Sequence, residues 1–248
     1  MSDLAWLVAR PVAHRGLHDA AAGIIENTAS AVAAAVAAGY AIEVDLQISA
    51  DAEAMVHHDE ALGRLTAVNG RLDAMTAAEL KGVAFDATAD RMMTLGELCD
   101  LVAGRVTLVL ELKSHLDKDA RLARRVGQVL RGYRGPVAAM SFDPAQVAAL
   151  AALAPKLTRG LVAERWRHNA KSDSWSTDAK RLLGYFRDAY SAWPHFLAYS
   201  VRDLPAFWPM AAKHALRMPL LTWTVRTEAD RARARRWADQ MIFEGFRA

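Results

Sequence analysis

The stretch Ala41–Leu46 reads AIEVDL, an apolar run broken at alternate positions by a carboxylate. Successive side chains of an extended strand point to opposite faces, so Glu43 and Asp45 share one face. The apolar remainder suits a strand covered on both sides, as in a parallel sheet. A second such run, Val106–Glu111, continues into Glu111-Leu112-Lys113 and sets Glu111 and Lys113 on a common face. Further apolar runs of strand length stand at Val8–Ala13, Pro136–Met140, Thr158–Val162, Phe196–Ser200, Leu220–Val225 and Gln240–Glu244. Between them the pattern predicts helices over Thr28–Ala38, Thr94–Val102, Asp117–Leu130, Pro144–Leu153, Thr177–Ala189, Pro205–His214 and Glu228–Trp237. Thr94 with Glu97 fits a capping box, and Pro144 and Pro205 suit the first turn of a helix. Strands alternating with helices give βαβ units and a parallel sheet. Eight such units within 248 residues favour an α/β fold closed into a (β/α)8 barrel.

The largest departure from this alternation is residues 51–103, Asp51 to Ala103. It contains an extra strand, Ala54–His58, a turn at Asn69-Gly70 and a capping-box helix at Thr76–Glu79. A hairpin folded about Asp51-Ala52 would set His58 across from Asp45 and turn His57 to the other face. The polar stretch Arg165–Thr177, with Trp166 and Trp175, reads as a folded flap. No linker or low-complexity tract divides the chain, so residues 1–248 are expected to form a single domain.

With 53% hydrophobic and 24% charged residues and seven Trp, the composition excludes disorder. The single cysteine, Cys99, excludes a disulfide framework and suits a reducing compartment. No apolar run approaches the roughly 20 residues that span a bilayer. Met1 to Arg10 lacks the basic and apolar regions of a secretory signal. A cytoplasmic protein without stable membrane insertion is the expectation. A net charge of +3 is too small to imply a nucleic-acid partner. The densest basic run, Arg231, Arg233, Arg235 and Arg236, follows Glu228 and Asp230 as in a solvated helix.

Barrel chemistry sits at the C-terminal ends of the strands. The first predicted strand ends in His14-Arg15-Gly16, the second carries Glu43 and Asp45, and the third Glu111 and Lys113. A lone acid or histidine at a strand end is usually an ordinary exposed or hydrogen-bonded residue. Three carboxylates converging on one mouth repel unless a cation sits among them, and oxygen-only ligands favour Mg²⁺ or Ca²⁺. Two histidines, His14 and His58, can divide proton transfer as base and acid. Arg15 and Lys113 suit phosphoryl oxygens whose charge grows in a transition state. Together these groups read as a phosphodiester-cleaving centre acting on a small molecule.

His14-Arg15-Gly16, Glu26-Asn27-Thr28, Glu43-x-Asp45, His58-Asp59 and Arg64-x-Thr66 resemble the glycerophosphodiester phosphodiesterase family. Glu111-x-Lys113, Ser141-Phe142-Asp143 and Trp223-Thr224-Val225 continue the likeness in order. The resemblance implies a TIM barrel with a small insertion after the second strand. It also implies a divalent metal on Glu43, Asp45 and Glu111, acid–base work by His14 and His58, and phosphate binding by Arg15 and Lys113. The implied reaction is hydrolysis of glycerophosphodiesters to an alcohol and glycerol 3-phosphate, for which attack by the glycerol hydroxyl through a cyclic phosphate is one route.

Other matching positions are less decided. Asn27 or Thr28 either caps the following helix or, with Glu26, contacts the substrate. Ser141 and Trp223 are candidate pocket-lining residues. The chain also departs from the family pattern. Phe243 and Glu244 stand where a Thr and an Asp are usual in the last strand, and Arg226 where Asn often follows Trp-Thr-Val. These changes fall on the leaving-group side, where Arg226, Arg202 and Glu164 are candidates. An alternative keeps the site but takes lysophospholipids, as a phospholipase D does, using Trp193, Phe196, Phe207 and Trp208 as an acyl groove. A non-catalytic metal- or phosphate-binding barrel is disfavoured by the presence of both histidines.

Overall fold

The alternation read in Ala41–Leu46 runs round the whole sheet of the computed structural model, which describes residues 4–165 and 192–248. The strands are β1 (Val12–Ala13), β2 (Ala41–Ile48), β3 (Ala54–Val56), β4 (Ala61–Leu62), β5 (Gly70–Arg71) and β6 (Leu108–Leu112), followed by β7 (Val137–Ser141), β8 (Thr158–Ala163), β9 (Phe196–Ser200), β10 (Leu220–Val225) and β11 (Gln240–Phe243). Eight of them pair in parallel in the order β1-β2-β6-β7-β8-β9-β10-β11, and β11 pairs back onto β1. The sheet is therefore closed, and with its helices forms the predicted (β/α)8 barrel.

One buried cluster fills the interior: Val12, Ala41, Val109, Ala138, Met140, Val162, Phe196, Ala198, Leu221 and Ile242, with Leu7 beneath. Two residues further along the strands the same face carries His14, Glu43, Glu111, Phe142, Glu164, Ser200, Trp223 and Glu244. The period of two thus converts an apolar plug into a polar mouth within one layer. The outward positions Ile42, Val44, Leu46, Leu108, Leu110 and Leu112 belong to a second buried cluster, which also takes in helix residues. The α-helices among the described residues are α1 (Ala5–Val8), α2 (Ala29–Ala38), α3 (Ala77–Gly82), α4 (Leu95–Val102), α5 (Arg121–Leu130), α6 (Pro144–Leu153), α7 (Phe207–Ala215) and α8 (Glu228–Trp237).

Interior packing leaves no slack opposite Phe196. This ring is fully buried, and a Cβ added to Gly160 would stand 2.3 Å from it. Gly160→Ala is expected to cost about 1–3 kcal/mol through overpacking, read as a lower urea midpoint at unchanged slope. An unchanged midpoint would show that the Phe196 ring has room to yield.

Several predicted boundaries shift for local reasons. The apolar run Val8–Ala13 is a strand only at Val12–Ala13, because Ala5–Val8 is helical and buries Leu7 against the barrel floor. Short apolar runs carry no period that separates strand from helix. The helix expected over Asp117–Leu130 begins only at Arg121. Leu116 and Lys118 adopt left-handed backbone, and the Asp119 carboxylate accepts from the Arg121 N–H at 2.9 Å. Pro205 precedes α7 and does not open it. The helix expected at Thr177–Ala189 lies outside the described residues, as does all of Arg165–Thr177 beyond Arg165.

After β2 the chain departs from the βα rhythm. Strand β3 pairs antiparallel with β2, β4 pairs with β5, and α3 and α4 each carry the predicted capping box. The hairpin register differs by one residue from expectation. Leu46 pairs with Val56 and Ile48 with Ala54, and the His57 N–H donates to the Asp45 carbonyl at 3.0 Å. The cause is a three-residue loop, with Ala52 left-handed at φ 63 and the Ser49 N–H donating to the Glu53 carbonyl. His57 therefore lies across from Asp45 in the place expected for His58.

Candidate active site

The barrel mouth holds a cavity of about 500 Å³ lined by His14, Arg15, Glu43, Asp45, His58, Glu111, Lys113 and Trp223, with Phe142, Glu164, Arg202 and Arg226 on the late-strand side. The sequence reading brought the first seven to one place and offered Trp223 as a candidate lining residue, and all eight line this cavity.

At its centre Glu43, Asp45 and Glu111 each offer an oxygen within 4.8 Å of the others. All three side chains are buried, and Glu43 Oε1 has no hydrogen-bond partner. Burial, then the neighbouring Asp45 and Glu111, pushes the Glu43 carboxyl well above the usual carboxylate range. Glu111 is also raised, chiefly by burial. Burial would raise Asp45 as well, but Lys113 and Arg15 outweigh it and hold its carboxyl well below the usual range. Lys113 Nζ lies 2.8 Å from Asp45 Oδ1 and bonds Glu111. One bound ammonium and one guanidinium do not balance this excess of buried acid. An orphaned carboxylate oxygen among hard donors fits a divalent cation.

The β1–α2 connection supplies the next shell. Arg15 and Asn27 both take left-handed backbone, at φ 55 and 59. This turns the Arg15 N–H onto Glu43 Oε2 at 3.0 Å, and the Asn27 amide onto Asp45 Oδ2 at 2.9 Å. Gly16 follows at φ 81, where a Cβ would come within 2.8 Å of Ala31. Thr28, not Asn27, caps α2. Glu26 binds Arg15 at 2.7 Å and Arg64 at 2.6 Å, and Arg64 also holds Asp59. Asp59 in turn binds His58 Nδ1 at 2.7 Å. Glu26 and Asn27 thus brace the charged groups and do not line the cavity.

His14 Nδ1 bonds the Glu244 carboxylate, and its Nε2 is 3.9 Å from Glu43. Burial holds the His14 pKa below that of a free imidazole, although Glu244 opposes the shift. His57 is buried against the Phe85 ring and does not line the cavity. Ser141 is turned away: its hydroxyl donates to the Leu112 carbonyl at 2.7 Å and accepts from the Asp143 N–H. Its neighbour Phe142 lines the mouth instead, edge-on to Trp223 at 5.4 Å. The sequence reading gave no role to the Glu244–His14 contact or to the Asp59–Arg64–Glu26 chain. The period-two step from buried Ile242 to Glu244 is the signal that locates the first.

A parallel barrel with acid, histidine and cation on one cavity is the arrangement that phosphoric diester hydrolysis requires. The sequence model of the glycerophosphoryl diester phosphodiesterase family matches residues 14–245, and the chain belongs to that family. No curated protein matches it. Among solved structures it is similar to an Oleispira antarctica phosphodiesterase in complex with the product sn-glycerol-3-phosphate. That likeness has a TM-score of 0.75 at 20% identity and covers 96% of this chain and 94% of that one. It is also similar to glycerophosphodiester phosphodiesterases from Thermotoga maritima and Agrobacterium tumefaciens. Both score 0.68, at 22% and 20% identity, and both alignments cover 94% of each chain. These likenesses are of fold. No helix among the described residues is long and apolar enough to cross a membrane.

Proposed function

We propose that the protein hydrolyses glycerophosphodiesters to an alcohol and sn-glycerol 3-phosphate, with a Mg²⁺ or Ca²⁺ ion on Glu43, Asp45 and Glu111. The convergence of His14 and His58 with that carboxylate group on one cavity carries this reading. The product held by the Oleispira antarctica relative agrees with it.

Both imidazoles are mounted alike. His14 turns Nδ1 to Glu244 and His58 turns Nδ1 to Asp59, which leaves each Nε2 for substrate. One histidine takes the proton of the attacking hydroxyl, and the other returns a proton to the leaving oxygen. Arg15 and Lys113 draw the phosphoryl oxygens toward the same centre, each already fixed by carboxylates. A bound divalent ion supplies counter-charge to the phosphoryl group.

The test is a substrate panel with Mg²⁺ or Ca²⁺, comparing glycerophosphocholine and glycerophosphoethanolamine with a lysophosphatidylcholine. Glycerol 3-phosphate release from the first two is expected. Cleavage of the lysophospholipid alone would replace this reading with the phospholipase D-like one. That alternative loses one proposed groove residue, since Phe196 is fully buried inside the barrel.

A further inference from the structure

Behind His14, at the end of β11, stands the carboxylate of Glu244, whose two oxygens are held on opposite sides. Glu244 Oε2 bonds His14 Nδ1 and lies 3.6 Å from His18 Nε2, and Glu244 Oε1 accepts from Arg226 Nε at 2.6 Å. We infer that Glu244, clamped by Arg226, is the positioning residue of His14: it fixes the imidazole tautomer and aims Nε2 into the cavity. This rests on the reading of His14 as an acid–base group.

Three observations carry the inference. First, the contact is a backed one. The His14 N–H donates to the Phe243 carbonyl at 2.9 Å, so the histidine is tied to β11 by backbone and side chain together. Second, the strand end that presents Glu244 is anchored. Phe243 is buried and meets the Tyr40 ring at 5.0 Å and the Phe246 ring at 5.1 Å. The Glu244 N–H donates to the Val225 carbonyl at 3.2 Å, next to Arg226. Third, both carboxylate oxygens are spoken for, one by imidazole and one by guanidinium. His14, His18 and Glu244 approach closely enough to suggest a second metal group. A cation there would have to displace or repel the Arg226 guanidinium, so the cluster is better suited to holding a neutral ring than an ion.

A carboxylate on Nδ1 keeps the proton there and leaves Nε2 as the lone-pair nitrogen. Without it the neutral ring is free to carry its proton on Nε2, where it cannot act as a base. Losing such a partner costs tenfold or more in turnover. Arg226 adds the second restraint, because it stops the Glu244 side chain from swinging toward solvent.

The experiment compares wild type with Glu244→Gln, Glu244→Ala, the double variant Glu244→Asp/Arg226→Asn, and His14→Ala, all with Mg²⁺ present. Kinetics on glycerophosphoethanolamine and long-range ¹H–¹⁵N spectra of the His14 ring at pH 8 are the readouts. Glu244→Gln and Glu244→Ala should lower kcat at least about tenfold with KM within about threefold of wild type. The His14 proton should sit on Nδ1 in wild type and move toward Nε2 in Glu244→Ala. The double variant keeps a carboxylate one methylene shorter but lacks the Arg226 clamp, so its kcat should stay below wild type, and full wild-type kcat there would remove Arg226 from the positioning role. Wild-type kcat in both single variants, or an unchanged His14 tautomer, overturns the positioning role while a dead His14→Ala leaves the acid–base reading intact. An active His14→Ala instead removes the reading on which the inference stands.

Discussion

Mg²⁺ or Ca²⁺ at about a hundred times its dissociation constant is expected to stabilise the wild-type protein by about 2.7 kcal/mol. For a chain of this size that corresponds to roughly 5–10 °C in Tm. The same addition should leave Glu43→Gln unshifted, and EDTA should abolish turnover in the wild type. The argument rests on burial. Glu43 has an orphaned oxygen, and its carboxyl is raised well above the ordinary range by burial and by two acidic neighbours. In the absence of a cation Gln keeps the size of the Glu43 side chain and an oxygen for the Arg15 N–H while removing buried acid from the cluster, so the substitution should barely alter the metal-free Tm. With a cation present it removes one of three charged ligands. The thermal shift therefore separates loss of metal binding from loss of folding. A wild type whose Tm ignores both cations, or a Glu43→Gln protein that keeps the full shift, would remove the metal site.

His14→Ala and His58→Ala should each lower kcat by at least about 10²-fold, the usual size of a positioned acid or base. The cation-induced Tm shift should survive in both. Neither histidine belongs to the carboxylate group that would hold the ion, although His14 Nε2 stands 3.9 Å from Glu43. The two losses should also differ in neighbourhood effects. His58 is held by Asp59 and through it by Arg64 and Glu26, whereas His14 depends on Glu244 and Arg226. Wild-type rates in both variants would end the acid–base mechanism.

Much of this site could be read in the sequence because its geometry is periodic. Glu43 with Asp45, and Glu111 with Lys113, share a face in any strand, and neighbouring parallel strands bring the pairs together; Asp45 is the register partner of Glu111. The closure of the barrel followed from the count of alternating elements. What escaped was set by single residues or by packing. One left-handed residue, Ala52, moved the hairpin register by a position, yet His58 still lines the mouth with its Nδ1 on Asp59. Ala5–Val8 became a helix because the barrel floor required a plug, which no short apolar run announces. Glu244 was visible only as a departure from a pattern, since its meaning depends on a histidine 230 residues away.

That separation gives the two halves of the centre different histories as the chain folds. The carboxylates occupy adjoining strands completed by Leu112, so a partial barrel can already gather them. His14 waits for β11, the last strand, to dock beside β1 and supply both of its restraints. Closing so long a loop is the entropically costly, late kind of contact. Acidic ligands can thus assemble before the base is aimed, and the ring of strands acts as a latch that withholds catalytic competence until its final member is in place.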